Sequence, residues 1–115
     1  MAFHEVPETQ WHSFCKKFTE QHHGQRLRIE RVVDSDAVPW FRGQVELDRL
    51  ELTKTPARVV VVLTDDRRFE LEVPQPSRIT LAQADESRSG QVRIDSRVDA
   101  GVILHFGEGP ARDTS

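Results

Sequence analysis

Apolar residues first recur at Trp11, Phe14, Cys15 and Phe18, an i, i+3, i+4, i+7 set that lines one side of an α-helix. His12, Ser13, Lys16, Lys17 and Glu20 fill the opposite side, which suits water. Thr9 is placed to cap the helix start, Glu5 and Glu8 suit the positive end of its dipole, and Gly24 suits the left-handed residue that closes it. The spacing predicts a helix over residues 9–23. Beyond Gly24 the period drops to two. Leu27 and Ile29 alternate with Arg26, Arg28 and Glu30, the pattern of a strand with one buried face. Val45 and Leu47 keep that logic, but Leu50 and Leu52 are out of phase with them, so a β-bulge or a break is expected near Asp48-Arg49.

The run Val59 to Leu63 is apolar at every position and predicts a central strand, covered by the helix on one face and by a curled or second sheet on the other. Thr64-Asp65-Asp66-Arg67 predicts a tight hairpin loop into Phe69, Leu71 and Val73, with Pro74 and Pro76 stopping that strand. Further strands are expected at Ile79-Leu81, at Val92, Ile94, Ser96 and Val98, which share one face, and at Val102, Leu104 and Phe106, with a polar turn over residues 85–90. The predicted fold is α+β: one N-terminal helix packed on a curled antiparallel sheet of six or seven strands spanning residues 26–106. A sheet of that size curls, so a partly closed barrel is one expected form. Residues 1–107 are expected to form one domain and 108–115 a flexible tail. The missing β-α-β alternation excludes a doubly wound fold.

Composition narrows the classes further. The chain has 115 residues, 37% apolar and 30% charged, enough for one small core. A net charge of −3 provides no global basic field for nucleic acid. A single Cys permits no internal disulfide and suits a reducing compartment. No apolar run reaches the roughly 20 residues of a membrane span. The opening MAFHEVPE lacks the basic-then-apolar order of a signal peptide, so a cytoplasmic setting without membrane contact is expected.

Candidate chemistry is sparse. His12, Cys15, His22 and His23 share the predicted helix, but at about 1.5 Å rise per residue Cys15 and His22 lie roughly 10 Å apart along the axis. Only His12 and Cys15 could touch one ion, and two ligands do not make a structural zinc site, so no metal is expected. His22 is expected to close the apolar stripe near Phe18, with His12 and His23 solvated. His4 is placed in a mobile start. His105 points away from the face shared by Leu104 and Phe106. No nucleophile elbow, P-loop, dinucleotide fingerprint or zinc-protease motif occurs, so neither a catalytic residue nor a cofactor is assigned. Acidic residues alternate with Arg along strand faces, as in Arg93, Asp95, Arg97 and Asp99, which suits ion pairing on a solvated face. Arg26, Arg28 and Arg31 would form an anion site with Arg93 and Arg97 if their strands adjoin. The segment Pro39-Trp40-Phe41-Arg42-Gly43 places two large aromatics and an Arg between turn residues. Two roles are open to it: a protein-binding hot spot or a plug for the open end of the sheet.

The opening Pro7-x-x-x-Trp11-x-x-Phe14-x-x-x-Phe18-x-x-x-His22-x-Gly24, followed by Leu27-Arg28-Ile29-Glu30, resembles a family of short bacterial proteins classed as a domain of unknown function. Pro76-Ser77-Arg78-Ile79-Thr80-Leu81, Val92-x-Ile94-x-Ser96 and Leu104-x-Phe106 extend the resemblance to Phe106, with a weaker match over residues 34–57. It implies a small soluble bacterial protein and brings no catalytic residue.

The leading functional expectation is a non-catalytic binding or accessory domain that works through a protein partner or self-association, with Trp40, Phe41 and Arg42 as contacts. A small-molecule or weakly enzymatic barrel using His22 or His105 is the alternative. RNA binding through the Arg-rich strands is the third, set back by the absence of Tyr and by Phe residues that fall mostly on inward faces.

Overall fold

In the computed structural model, residues 2–40, 44–54, 57–83 and 90–106 are described. Strand β1 (Ala2–Val6) leads through a 3-10 turn (Glu8–Gln10) into helix α1 (Trp11–His22). Eight strands follow: β2 (Arg26–Val33), β3 (Asp36–Pro39), β4 (Val45–Thr53), β5 (Arg58–Thr64), β6 (Arg68–Pro74), β7 (Pro76–Gln83), β8 (Gly90–Ser96) and β9 (Gly101–Phe106). They form one antiparallel sheet in the order β1-β7-β8-β9-β2-β4-β5-β6, with β3 paired to β2. The α+β class is thus observed. The sheet has nine strands rather than six or seven, and it is not closed. The two extra strands are β1, where His4 sits opposite Leu81 rather than in a loose start, and β3.

The helix begins later than its pattern suggested. Residues 8–10 form the 3-10 turn, Gln10 precedes α1, and no side chain caps the start, so Thr9 has no capping role. Trp11 anchors the junction instead, its indole Nε1 donating to the Val6 carbonyl at 2.9 Å. Gly24 closes the helix at φ +84°, the left-handed conformation that a side chain disfavours. Trp11, Cys15 and Phe18 are buried, and Phe14 packs partly against them.

The bulge falls where the phase change placed it. Glu46 and Leu47 pair with Thr64 and Leu63, the register shifts between Leu47 and Arg49, and Leu50 then rejoins Val45 and Leu47 in the core, with Leu52 packed partly against it. β5 is central to its half of the sheet. Val59, Val61 and Leu63 face the main core. Val60 and Val62 face the other way and are still buried, because the register sets Glu51 and Glu72 beside Val60, and Arg49 and Glu70 beside Val62. Stems of long charged side chains, rather than a second sheet, flank that outer face.

β2 joins the two halves: Arg26 and Leu27 pair with β4, while residues 28–32 pair with β9. The halves meet again at Gln75, a single residue at φ 43° between β6 and β7. Pro74 ends β6, but Pro76 opens β7 rather than stopping a strand. Gln75 donates to the Ala57 carbonyl at 3.1 Å and accepts from the Arg97 amide at 2.9 Å. Inward side chains from both halves and the stripe of α1 form one core. Phe106 meets Phe18 edge to face at 5.4 Å between ring centroids.

Candidate functional site

The β2–β3 hairpin turns through Asp34 (φ 50°) and Ser35 (φ 74°), both left-handed, as a two-residue hairpin requires. Register places Arg31 opposite Val38 and Val33 opposite Asp36, so Ile29, Arg31, Val33, Val38 and Trp40 share one face. Ile29 lies in the core, and Trp40 packs partly against that core with its amide on the Ile29 carbonyl at 2.9 Å. The Arg31 guanidinium sits 5.0 Å from the Trp40 ring centroid, a cation–π contact. Beyond it the face opens: Val33 and Val38 are 41% and 40% exposed, and every residue of β3 is exposed. Val98, expected to share the face of Val92 and Ile94, is instead 61% exposed, because β8 ends at Ser96, whose hydroxyl accepts the Val98 and Asp99 amides at 3.1 Å and turns the chain toward Gly101, opposite Val32. The exposed large apolar side chains among the described residues therefore gather at one end of the sheet, as a ledge that Trp40 and Arg31 tie to the core.

Of the other predicted site residues, Phe41 and Arg42 lie outside the described residues. His22 sits between Phe18 and Phe106, 4.5 Å from each ring centroid, and its Nδ1 meets Gln25 Oε1. His105 is on the outer face, where Nε2 meets Glu30 Oε1 at 2.7 Å and Arg28 approaches the second carboxylate oxygen at 3.6 Å. The sheet thus separates the two histidines onto opposite faces. His12 and His23 are exposed, and no cluster of three or more metal-ligating side chains occurs among the described residues. The expected arginine cluster does not assemble, because β9 separates β2 from β8. Arg93 is paired with Asp95 at 2.9 Å, and Arg31 is committed to Trp40. Burial pushes the Cys15 thiol up to about 12, so it is a protonated packing group at neutral pH.

A second feature escaped the sequence reading. Past Leu47, which still exchanges backbone hydrogen bonds with Gly24 and Gln25, the edge of β4 away from β5 faces α1 instead of a strand. Thr19 Oγ1 accepts the Leu50 amide at 2.9 Å and lies 3.2 Å from the Leu50 carbonyl, while His23 Nδ1 donates to the Asp48 carbonyl at 2.8 Å. Toward the start of α1 this seam opens into a cleft of about 440 Å³ beside Cys15, Lys16 and Leu52. An adjoining cleft of about 480 Å³ shares His12 and Leu52 with it. No helix among the described residues is long and apolar enough to cross a membrane.

Comparison of the chain with protein-family models, curated proteins and solved structures gives no match.

Proposed function

We propose that this chain is a non-catalytic protein-binding domain whose contact surface is the ledge of Val33, Val38 and Trp40 with Arg31. The carrying observation is that the exposed large apolar side chains gather at one end of the sheet instead of scattering singly. An exposed valine pair beside an aromatic and an arginine supplies the residue types that anchor protein interfaces. The edge of β3 disfavours simple strand addition, because Pro39 lacks an N–H. The ledge therefore meets its partner, or a second copy, through side chains. Arg28 and Arg93 are engaged with carboxylates, which lowers the net positive charge that the Arg-rich strands offer to RNA. A pocket centred on His22 has only about 170 Å³ beside it, below the roughly 300 Å³ at which ligand sites begin. The family resemblance of the opening motif and the lone buried cysteine fit a small accessory domain of the bacterial cytoplasm.

The test is a Val33→Asp, Val38→Asp variant, compared with wild type by sedimentation velocity and by capture of partners from lysate. The reading predicts a self-association or one enriched partner that the variant loses while keeping the wild-type circular dichroism spectrum. An unchanged set of captured proteins and an unchanged sedimentation profile would sink it.

A further inference from the structure

We propose that the occupant of the valine ledge is a second copy of this chain, related to the first by a two-fold axis along the diagonal from Val33 to Val38. This rests on the ledge being the contact surface, and it names the partner. The hairpin register sets Arg31 opposite Val38, and Val33 opposite Asp36, all on one face and all exposed. These four side chains mark the corners of a rectangle, about 5 Å across the strands and about 7 Å along them. The valines hold one diagonal and the two charges hold the other. The charges do not satisfy each other. The Arg31 guanidinium lies 5.0 Å from the Trp40 ring centroid, and Asp36 forms no ion pair among the described residues.

A face meets its own copy reflected across a two-fold axis that lies in the plane of contact. With the axis on the Val33–Val38 diagonal, each valine meets its counterpart, and Arg31 of each copy meets Asp36 of the other. The opposite diagonal would set Arg31 against Arg31 and Asp36 against Asp36. An axis parallel or perpendicular to the strands would set each charge against a valine. Charge complementarity thus selects one arrangement of two copies. One cation beside one carboxylate gives a basic or an acidic foreign partner no such advantage. The neighbouring turn keeps the same balance, with Arg97 and Asp99 on either side of Val98, while Asp34 lies beyond the rectangle in the hairpin turn. Four corners and Trp40 cover less than the roughly 1,200 Å² of a standard interface, so the dimer is weak, with a dissociation constant of about 0.1 mM.

Sedimentation equilibrium tests this with wild type, Asp36→Arg, Arg31→Glu, and an equimolar mixture of the two variants. Each variant alone sets like charges across the axis and should weaken self-association about tenfold. In the mixture the remaining Arg31 meets the remaining Asp36, and the two introduced side chains meet each other. The mixture should therefore recover wild-type association, a rescue that a misfolded variant could not give. An NMR sample of differently labelled wild-type chains reads the same interface without substitution, through contacts between copies from Val33 to Val33 and from Val38 to Val38. A wild type that stays monomeric at about 1 mM, single changes without effect, or a mixture no stronger than its components would overturn the dimer. The ledge reading fails separately. It survives a monomeric wild type if Val33→Asp, Val38→Asp loses a protein captured from lysate, and falls if that variant changes neither capture nor sedimentation.

Discussion

Replacing Thr19 by Val keeps the side-chain shape and removes only the hydroxyl that joins α1 to β4. Thr and Val have similar helix propensities, so the helix itself should be indifferent to the change. The Leu50 amide, now held by Thr19 Oγ1 at 2.9 Å, loses its partner on a residue that is 2% exposed. An unsatisfied buried N–H costs about 1–3 kcal/mol, and the second contact of the hydroxyl, at 2.9 Å to the Cys15 carbonyl, adds about 0.5–1 kcal/mol. The partial exposure of Thr19 and the gain from a buried methyl offset part of this. We expect a loss of about 2 kcal/mol, or roughly 8 °C in Tm for a chain of this size. Urea unfolding followed by tryptophan fluorescence measures it, with Thr19→Ser as the control that keeps the hydroxyl and should lose about half as much. The reasoning fails if Thr19→Val stays within about 0.5 kcal/mol of wild type, or proves more stable than Thr19→Ser.

Other expectations follow from the same geometry. A Cβ at Gly101 would stand 2.6 Å from the backbone oxygen of Ile94, so Gly101→Ala should cost about 1–3 kcal/mol by forcing β9 from β8, and a wild-type Tm would refute that close approach. Cys15 should resist iodoacetamide in native buffer at neutral pH and react once urea unfolds the chain; rapid native labelling would contradict its burial. Because the folded thiol is raised from 9.0 to about 12, its contribution to stability is complete below 9.0 and fades as pH rises toward 12. A Cys15→Ala variant, though less stable, should show a shallower alkaline decline. Val33→Asp with Val38→Asp should shift Tm little, since both side chains already meet water.

The elements that sequence pattern revealed were those whose side chains divide between core and solvent. The α1 stripe, the phase slip at Asp48-Arg49 and the uninterrupted valines of β5 each follow from burial on known faces. β3 left no such trace, because all four of its residues are exposed and its turn uses Asp34-Ser35 instead of a glycine-containing pair. β1 was hidden by its brevity and by Pro7, and its pairing with β7 bridges more than seventy positions of chain. The ledge was half legible. Trp40 drew attention through its composition, but Val33 and Val38 became notable only once the hairpin register placed them beside it. The cleft was illegible, since it depends on which strand edge the helix covers and where that cover stops.

The central claim is that partners meet the ledge, and photo-crosslinking tests it most directly. A benzophenone amino acid at position 38, on the ledge, is compared with one at position 70, exposed on β6 at the far edge of the sheet. Irradiation in lysate should give a discrete adduct, to a partner or to a second copy, from position 38 and not from position 70. Adducts of equal yield from both positions, or from position 70 alone, would contradict the account.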